Sequence, residues 1–379
     1  MLFAAFGAAS VAVWVYLLAA RGGFWRMHDS RDQGVLPAAA PSVAVIVPAR
    51  NEAETVGRVV ASLAAQRYPG ALHIVLVDDA STDGTADAAG DAAWPGILTV
   101  IRGRPLPPGW SGKLWAVDQG VREAARLSPD YLLLTDADIE HPPGNVAALV
   151  ARAESGAIDL VSYMATLGCR TFAERALIPT FVFFFFMLYP PAWVGDPRRA
   201  TAGAAGGCML VKRAALERMG GLAAIRGELI DDCALARAVK AGGGRVWLGL
   251  SAATHSIRGY GGFAEIGRMI SRTAFTQLHY KAAMLAGTAA GLAVTYLLPP
   301  ALALGAPGAA ARWLGGAAWA MMSVAWFPAL RFYRRSPLWA PFLPLVAAFY
   351  LGATFHSAFS YWRGRGGMWK GRAQALGSE

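Results

Sequence analysis

The chain has 379 residues, 55% of them hydrophobic and only 16% charged, with a mean hydropathy of +0.37 and a formal net charge of +10. Soluble proteins carry about a quarter charged residues, so this composition excludes an ordinary soluble enzyme and points to a membrane protein. The basic residues Arg21, Arg26, Arg331, Arg334 and Arg335 stand beside apolar stretches, where they suit anionic lipid headgroups rather than nucleic acid; Cys169, Cys208 and Cys233 lack Cys-x-x-Cys spacing, and their odd number argues against a disulfide framework.

Leu2 to Ala20 is uncharged and about long enough to cross a bilayer. Arg21, Arg26 and Arg31 follow it, which reads as an uncleaved anchor over residues 1–21 with the next domain on the cytoplasmic side of a bacterial inner membrane. Val43 to Pro48 is a β-branched apolar run, followed by the loop Ala49-Arg50-Asn51-Glu52 and by Val56, Val59, Val60 and Leu63 at helical spacing. A second strand, His73 to Val77, ends in Asp78-Asp79 and the turn residues Ser81 to Thr85. Lys113 follows Gly109, Ser111 and Gly112 and opens a helix with Leu114, Val117 and Val121 on one face. The run Tyr131 to Leu134 stops at Thr135-Asp136-Ala137-Asp138. Two carboxylates one residue apart at a strand end cannot both enter a core unpaired, and hard oxygen ligands at this spacing suit Mg²⁺ or Mn²⁺ carrying a diphosphate; a solvated acidic turn is the plainer reading of that motif alone.

Further along, Ala176 to Trp193 contains Phe183-Phe184-Phe185-Phe186 and would pass a hydropathy test. A crossing there would split the acids Asp136/Asp138 from Asp231/Asp232, so residues 176–195 are expected to lie in the membrane interface, broken by Pro179, Pro190 and Pro191 and facing a lipid acceptor; a buried core helix is the alternative. Gly206 and Gly207 precede the apolar run Cys208 to Val211, where the lack of a Cβ lets the backbone approach a ligand or simply turn. Ile230-Asp231-Asp232 leads into a helix marked by Leu235, Ala238 and Val239. His255, past the strand Val246 to Leu250, reads as a structural hydrogen-bonder rather than a metal ligand. Arg268 and Arg272 share a helix face. Ala282 to Ala311, Trp313 to Leu330 and Pro337 to Trp362 are expected spans within 282–362, with Pro299 and Pro300 suggesting a re-entrant pair. A basic tail, 363–379, carries Arg363, Arg365, Lys370 and Arg372 and ends in a linker-like Gly377-Ser378-Glu379.

Val47 to Glu52, Val77 to Thr85, Gly112 to Ala116, Asp136-Ala137-Asp138, and Asp231-Asp232 with Leu235 and Arg237 occur in this order, and together they resemble the family 2 glycosyltransferases. The resemblance covers roughly Ser42 to Arg272; the flanking apolar segments look most like the hopene-associated glycosyltransferases and, more distantly, ceramide glucosyltransferases. It implies an α/β catalytic domain of the GT-A fold over residues 40–275, Rossmann-like with a mostly parallel sheet, between N-terminal and C-terminal transmembrane helices. The implied donor is a nucleotide sugar, a UDP-sugar first, and the implied acceptor is a hopanoid or related polyprenoid lipid. By the same resemblance Pro48, Ala49 and Arg50 lie against base and ribose, Glu52 accepts from a ribose hydroxyl, Asp79 accepts from the base N–H, and Lys113 and Asp136 serve the donor. Asp138, with Asp136, is implied as the Mg²⁺ or Mn²⁺ ligand, Asp232 as the base with Asp231 beside it, and Gly206 and Gly207 as acceptor-facing. One departure is that Arg268-Met269-Ile270-Ser271-Arg272 is followed by Thr273 where processive members carry an Arg-Trp pair. Arg268 and Arg272 could stabilise the departing diphosphate or bind lipid phosphate. A processive polysaccharide synthase, a polyprenyl-phosphate glycosyltransferase and a non-catalytic nucleotide-sugar-binding regulator are the competing functions.

Overall fold

The computed structural model describes residues 1–30, 35–93, 96–364, 368–369 and 372–373. Arg31, most of the basic tail and Gly377-Ser378-Glu379 lie outside them. The chain forms two compact units, one of Met1–His28, Cys169–Ala192 and Gly259–Gly367, the other of Asp29–Gly168, Trp193–Arg258 and Met368–Glu379. The last division falls after Arg258, and the phenylalanine-rich segment belongs to the same unit as the N-terminal and C-terminal helices.

The sheet unit carries eight strands: β1 (Val43–Ala49), β2 (Leu72–Asp78), β3 (Leu98–Arg102), β4 (Tyr131–Leu134), β5 (Ile139–Glu140), β6 (Leu160–Thr166), β7 (Met209–Lys212) and β8 (Val246–Ser256). Their order is β3-β2-β1-β4-β7-β6-β8-β5. Strands β1 to β4 pair in parallel, β7 runs antiparallel to both β4 and β6, and β6 and β8 are parallel. Every residue of β1 is buried, as expected of a central strand covered on both faces. On one face Val43, Val45 and Val47 pack with Val56, Val59, Val60 and Leu63 of the helix Ala53–Ala64 and with Val146, Leu149 and Val150 of the helix Asn145–Gly156. Ile46 points to the other face, where the helix Gly112–Ala124 comes so close that a Cβ on Gly120 would stand 2.6 Å from Ile46 Cγ2.

This order places the site. Because β1, β2 and β4 are parallel, with Ala49 level with Asp78 and Ile46 level with Leu134, the segments after all three strands emerge at one edge. The chain steps outward from β1 through β2 to β3 and then crosses back to β4 on the other side of β1, and open α/β sheets bind ligands at such a switch point. Antiparallel pairing of Leu134 with Met209 brings Gly206-Gly207 to the same edge. Pairing of Ile139 with Ser256 sets the end of β8 beside Asp138.

In the helical unit, Leu2–Ala19, Phe172–Val194, Ala282–Gly305 and Pro337–Trp362 are, among the described residues, the four helices long and apolar enough to cross a membrane by length and composition. Ala309–Phe332 forms a helix of 24 residues outside that set. The stretch through Pro299 and Pro300 is not a re-entrant pair. It runs continuously as Ala282–Leu292, a π-helical turn Ala293–Leu297, and Leu298–Gly305. Pro299 lacks the N–H that would bond Thr295 O four residues back, and Trp14 Nε1 donates to that carbonyl at 2.8 Å while Ser10 Oγ donates to Val294 O at 2.7 Å. The neighbouring helix thus satisfies carbonyls that the prolines leave open.

The phenylalanine segment also differs from expectation. Thr171 and Glu174 form a capping box at the start of Phe172–Leu188, and Pro179 sits within this helix without breaking it; the break comes at Tyr189-Pro190. Phe183 and Phe186, three residues apart and so on one face, are buried rather than presented to lipid. Phe183 packs on Phe24, and half-buried Phe184 packs on Tyr296 and Tyr350. The run is therefore in part a packing surface of the helical unit.

Candidate active site

Lys113 is the second residue of its helix, a position where the helix dipole disfavours a cation. Carboxylates from two other segments compensate: Lys113 Nζ lies 2.9 Å from Asp136 Oδ1 and 3.2 Å from Asp231 Oδ2. Withdrawal from water alone would push the Lys113 ammonium down, but Asp136, Asp231 and Asp232 outweigh it and hold the group above its ordinary value. Asp136 is raised by the same loss of water together with the charges of Asp138 and Asp231, against Lys113.

Asp231 and Asp232 occupy the first turn of the helix Asp231–Ala241, the end that favours anions. Asp232 Oδ2 accepts from Gly206 N–H at 2.9 Å, and Oδ1 accepts from Cys233 N–H at 2.7 Å. Burial, then the Asp231 charge, push its carboxyl up to about 6 against the opposing Lys113 and these two donors. Gly206 is needed for this approach: a Cβ there would stand 3.3 Å from Lys113 Nζ and 3.4 Å from Asp232 Oδ2. Pro48, Lys113, Asp136, Gly206 and Asp231 line one open cleft of about 330 Å³, floored by Leu114, Val117, Leu134, Met209 and Leu235.

A second cation stands a little further along the sheet edge. Arg258 Nε donates to Asp138 Oδ2 at 2.9 Å and Arg258 Nη2 donates to Glu52 Oε1 at 2.6 Å. Glu52 immediately precedes the helix Ala53–Ala64 yet makes no side-chain cap bond, so its carboxylate is turned to Arg258 instead. Asp79 is fully buried; Arg50 donates to its backbone carbonyl, with the guanidinium 3.6 Å from Asp79 Oδ2. The loops that carry these groups are cross-tied, since Ser81 Oγ accepts from Asn51 N–H, Thr85 Oγ1 from Glu52 N–H and Asp83 from Ala53 N–H.

Beneath the carboxylates runs a buried chain of polar groups that sequence reasoning missed. Thr135 Oγ1 donates to Gly207 O at 2.8 Å, which leaves it to accept from His141 Nε2, also at 2.8 Å; His141 Nδ1 then accepts from Asn145 Nδ2 at 2.9 Å, and Asn145 Oδ1 accepts from Thr254 Oγ1 at 3.0 Å. These partners fix the neutral Nε2–H tautomer. Burial, with the nearby charge of His255, pushes the His141 imidazole down to about 3. His255 keeps Nδ1 on Ala253 O at 3.1 Å and stands on the other side of β8 from Ser256 and Arg258.

The structure thus gathers Pro48, Lys113, Asp136, Gly206 and Asp231 around the cleft, with Asp232 behind Gly206, and ties Glu52 to Asp138. It does not add Arg268 and Arg272 to the sheet unit: both are exposed on the helix Phe263–Ala274 of the helical unit, away from its buried Ile266 and Ile270. Arg258 was overlooked, although the alternation Ser256, Arg258 against His255, Ile257 placed it on one side of a strand end.

Among the described residues no group of three or more His, Cys, Asp or Glu side chains is arranged to hold a metal. The donor set nevertheless suits a divalent ion that arrives with its substrate. Asp138 and Glu52 already converge on one cation, and Mg²⁺ is commonly held by one or two carboxylates with phosphate oxygens and water completing the shell.

Residues 44–220 match the model of the family described as glycosyl transferase family 2. Over this stretch the chain is similar to the family 2 glycosyltransferases. The chain is 30% identical over 125 residues to the undecaprenyl-phosphate 4-deoxy-4-formamido-L-arabinose transferase of Salmonella choleraesuis (strain SC-B67), a match covering 31% of this chain and 36% of that protein. The chain therefore spans only about a third of the curated relatives it matches. The mannosyltransferase PcManGT from Pyrobaculum calidifontis, solved in complex with GDP-Man and Mn²⁺, resembles it over 94% of this chain and 99% of its own length, with a TM-score of 0.55 and 20% identity. At that identity the likeness shows the fold, GT-A.

Proposed function

We propose that the protein is a membrane-bound, inverting glycosyltransferase that moves a sugar from a nucleotide-sugar donor, a UDP-sugar first, to a lipid hydroxyl of the hopanoid or polyprenoid class at the cytoplasmic face of a bacterial inner membrane. The observation that carries this reading is Asp232, a carboxylate pushed up to about 6 and held by the N–H groups of Cys233 and of Gly206, which lines the cleft. An alcohol is a poor nucleophile until its proton is taken, and a carboxylate of raised basicity that is still ionised at neutral pH can take it. A single base with no separate nucleophile implies direct displacement with inversion.

The remaining residues divide the donor among them. Pro48, Ala49 and Arg50 flank base and ribose, Asp79 meets the base N–H and Glu52 a ribose hydroxyl. Lys113, charged and backed by Asp136 and Asp231, faces the cleft from a helix start and supplies positive charge for the diphosphate. Asp138, with Asp136, would hold Mg²⁺ or Mn²⁺, which when bound neutralises the donor diphosphate and the nucleoside diphosphate that departs. Gly206 and Gly207 leave room for the acceptor hydroxyl next to Asp232.

The same reading keeps the phenylalanine segment from crossing the membrane. Strands β6 and β7, which precede and follow it, are hydrogen-bonded neighbours, so the chain that leaves the sheet after Thr166 has returned to it by Met209. A crossing by Phe172–Val194 would need a return crossing within the few polar residues that follow.

A second reading, transfer to a polyprenyl phosphate, is favoured by the likeness to the Salmonella protein. A phosphate acceptor is already ionised and needs no base. Purified protein incubated with Mg²⁺ or Mn²⁺, UDP-sugars, and either hopanoid alcohols or polyprenyl phosphate decides: release of nucleoside diphosphate with a glycosylated lipid by mass spectrometry supports transfer, and no release with any pair refutes it. Undiminished transfer to polyprenyl phosphate by Asp232→Asn would favour the second reading.

A further inference from the structure

We infer that Arg258 is an internal cation of this site, which joins Asp138 to Glu52 when no metal is bound and competes with a divalent ion for Asp138. The inference rests on the donor-binding reading above. Glu52 follows β1 and Asp138 follows β4, and the two like charges share one cation. Arg258 does so with two different nitrogens, Nε on Asp138 Oδ2 at 2.9 Å and Nη2 on Glu52 Oε1 at 2.6 Å. Ser256 Oγ adds a donor to the same Asp138 Oδ2 at 3.3 Å. Asp138 Oδ2 is thus already engaged by two donors.

The geometry also shows how Arg258 can leave. Its side chain is 34% exposed, whereas those of Glu52 and Asp138 are 12% and 17% exposed, so the guanidinium closes the carboxylate pair from the solvent side. A guanidinium stays charged at every accessible pH, so it vacates the carboxylates only by swinging outward. Metal alone must meet the loss of these charge-assisted bonds, while metal arriving with a diphosphate brings ligands of its own. Weak binding of the free ion, and strong binding only as a metal–nucleotide pair, follow from this one arginine.

The test is Mn²⁺ alone, titrated into the full chain in detergent micelles and followed by the electron-spin-resonance signal of free Mn²⁺. R258Q is expected to bind Mn²⁺ on the order of tenfold to a hundredfold more tightly than the unaltered protein, the range set by charge-assisted hydrogen bonds of this kind. R258K, which keeps the charge but loses the fork, is expected between the two, and it decides the matter should R258Q fail to fold. R198Q removes a positive charge from an exposed arginine that pairs with Asp196 on the surface and is expected to leave Mn²⁺ affinity unchanged. Equal or weaker Mn²⁺ binding by R258Q and R258K overturns the inference, as does equal tightening by R198Q. Nucleotide release by the unaltered protein tests the donor-binding reading separately, so either result can fail without the other.

Discussion

Replacing Thr135 by valine keeps the side-chain shape while deleting the hydroxyl that joins His141 to the glycine loop. Thr135, His141 and Asn145 are 2%, 3% and 4% exposed, so water cannot replace what is lost. The substitution strands His141 Nε2–H as a donor and removes one acceptor interaction from Gly207 O. A buried group left unsatisfied costs about 1–3 kcal/mol, so the pair sets a destabilisation of about 2–6 kcal/mol. At roughly 2–4 °C per kcal/mol for a domain of this size, the melting midpoint should fall by roughly 4–24 °C. Because Gly207 adjoins Gly206, whose N–H holds Asp232, lipid glycosylation should slow more than donor binding weakens. Differential scanning fluorimetry of the detergent-solubilised protein, calorimetric titration with donor and metal, and the lipid transfer assay measure the three quantities. Thr135→Ser keeps the hydroxyl and should restore all of them. A Thr135→Val protein that melts within about 2 °C of the unaltered chain and transfers sugar at the same rate would refute the reasoning.

Asp138→Asn should abolish metal-dependent donor binding, whereas Asp232→Asn should leave donor binding intact and slow transfer to a lipid hydroxyl by roughly 10²- to 10⁴-fold; calorimetry on both variants separates them, and loss of donor binding in both would remove Asp232 as the base. Since Asp232 is pushed up to about 6 by burial and Asp231 and acts only when deprotonated, kcat should be level above that value and fall tenfold per unit as pH drops below it. A level profile down to pH 4.5 would exclude this carboxylate as the base. Single cysteines at Ser155 and Lys212, before and after the phenylalanine segment, should be labelled by membrane-impermeant reagent from the same, cytoplasmic side in spheroplasts and inverted vesicles, and opposite sidedness would contradict the non-crossing reading.

Much of the catalytic half was legible along the chain, because a strand run and the polar residues that end it are local features. The apolar run Val43 to Pro48, the strand before Asp136-Ala137-Asp138 and the helix after Asp231-Asp232 can be read from neighbours in sequence, and so can the uncharged first helix and the apolar helices beyond residue 282. The resemblance then supplied roles that spacing alone left open, such as Asp232 as base. What the chain order could not show is who neutralises whom. Lys113 meets Asp136 and Asp231 because β7 lies antiparallel beside β4, and Arg258 meets Asp138 because β5 pairs with the far end of β8. The pairs Lys113–Asp231 and Arg258–Asp138 each join residues more than a hundred apart, a separation that no local period encodes. The same holds for Phe183 and Phe186, apolar enough for lipid but turned into the helical unit, and for Pro299, which reads as a helix breaker until Trp14 satisfies the carbonyl it leaves open. Hydrophobicity and backbone chemistry dictate what must be buried or bonded; only the tertiary structure decides which partner does it.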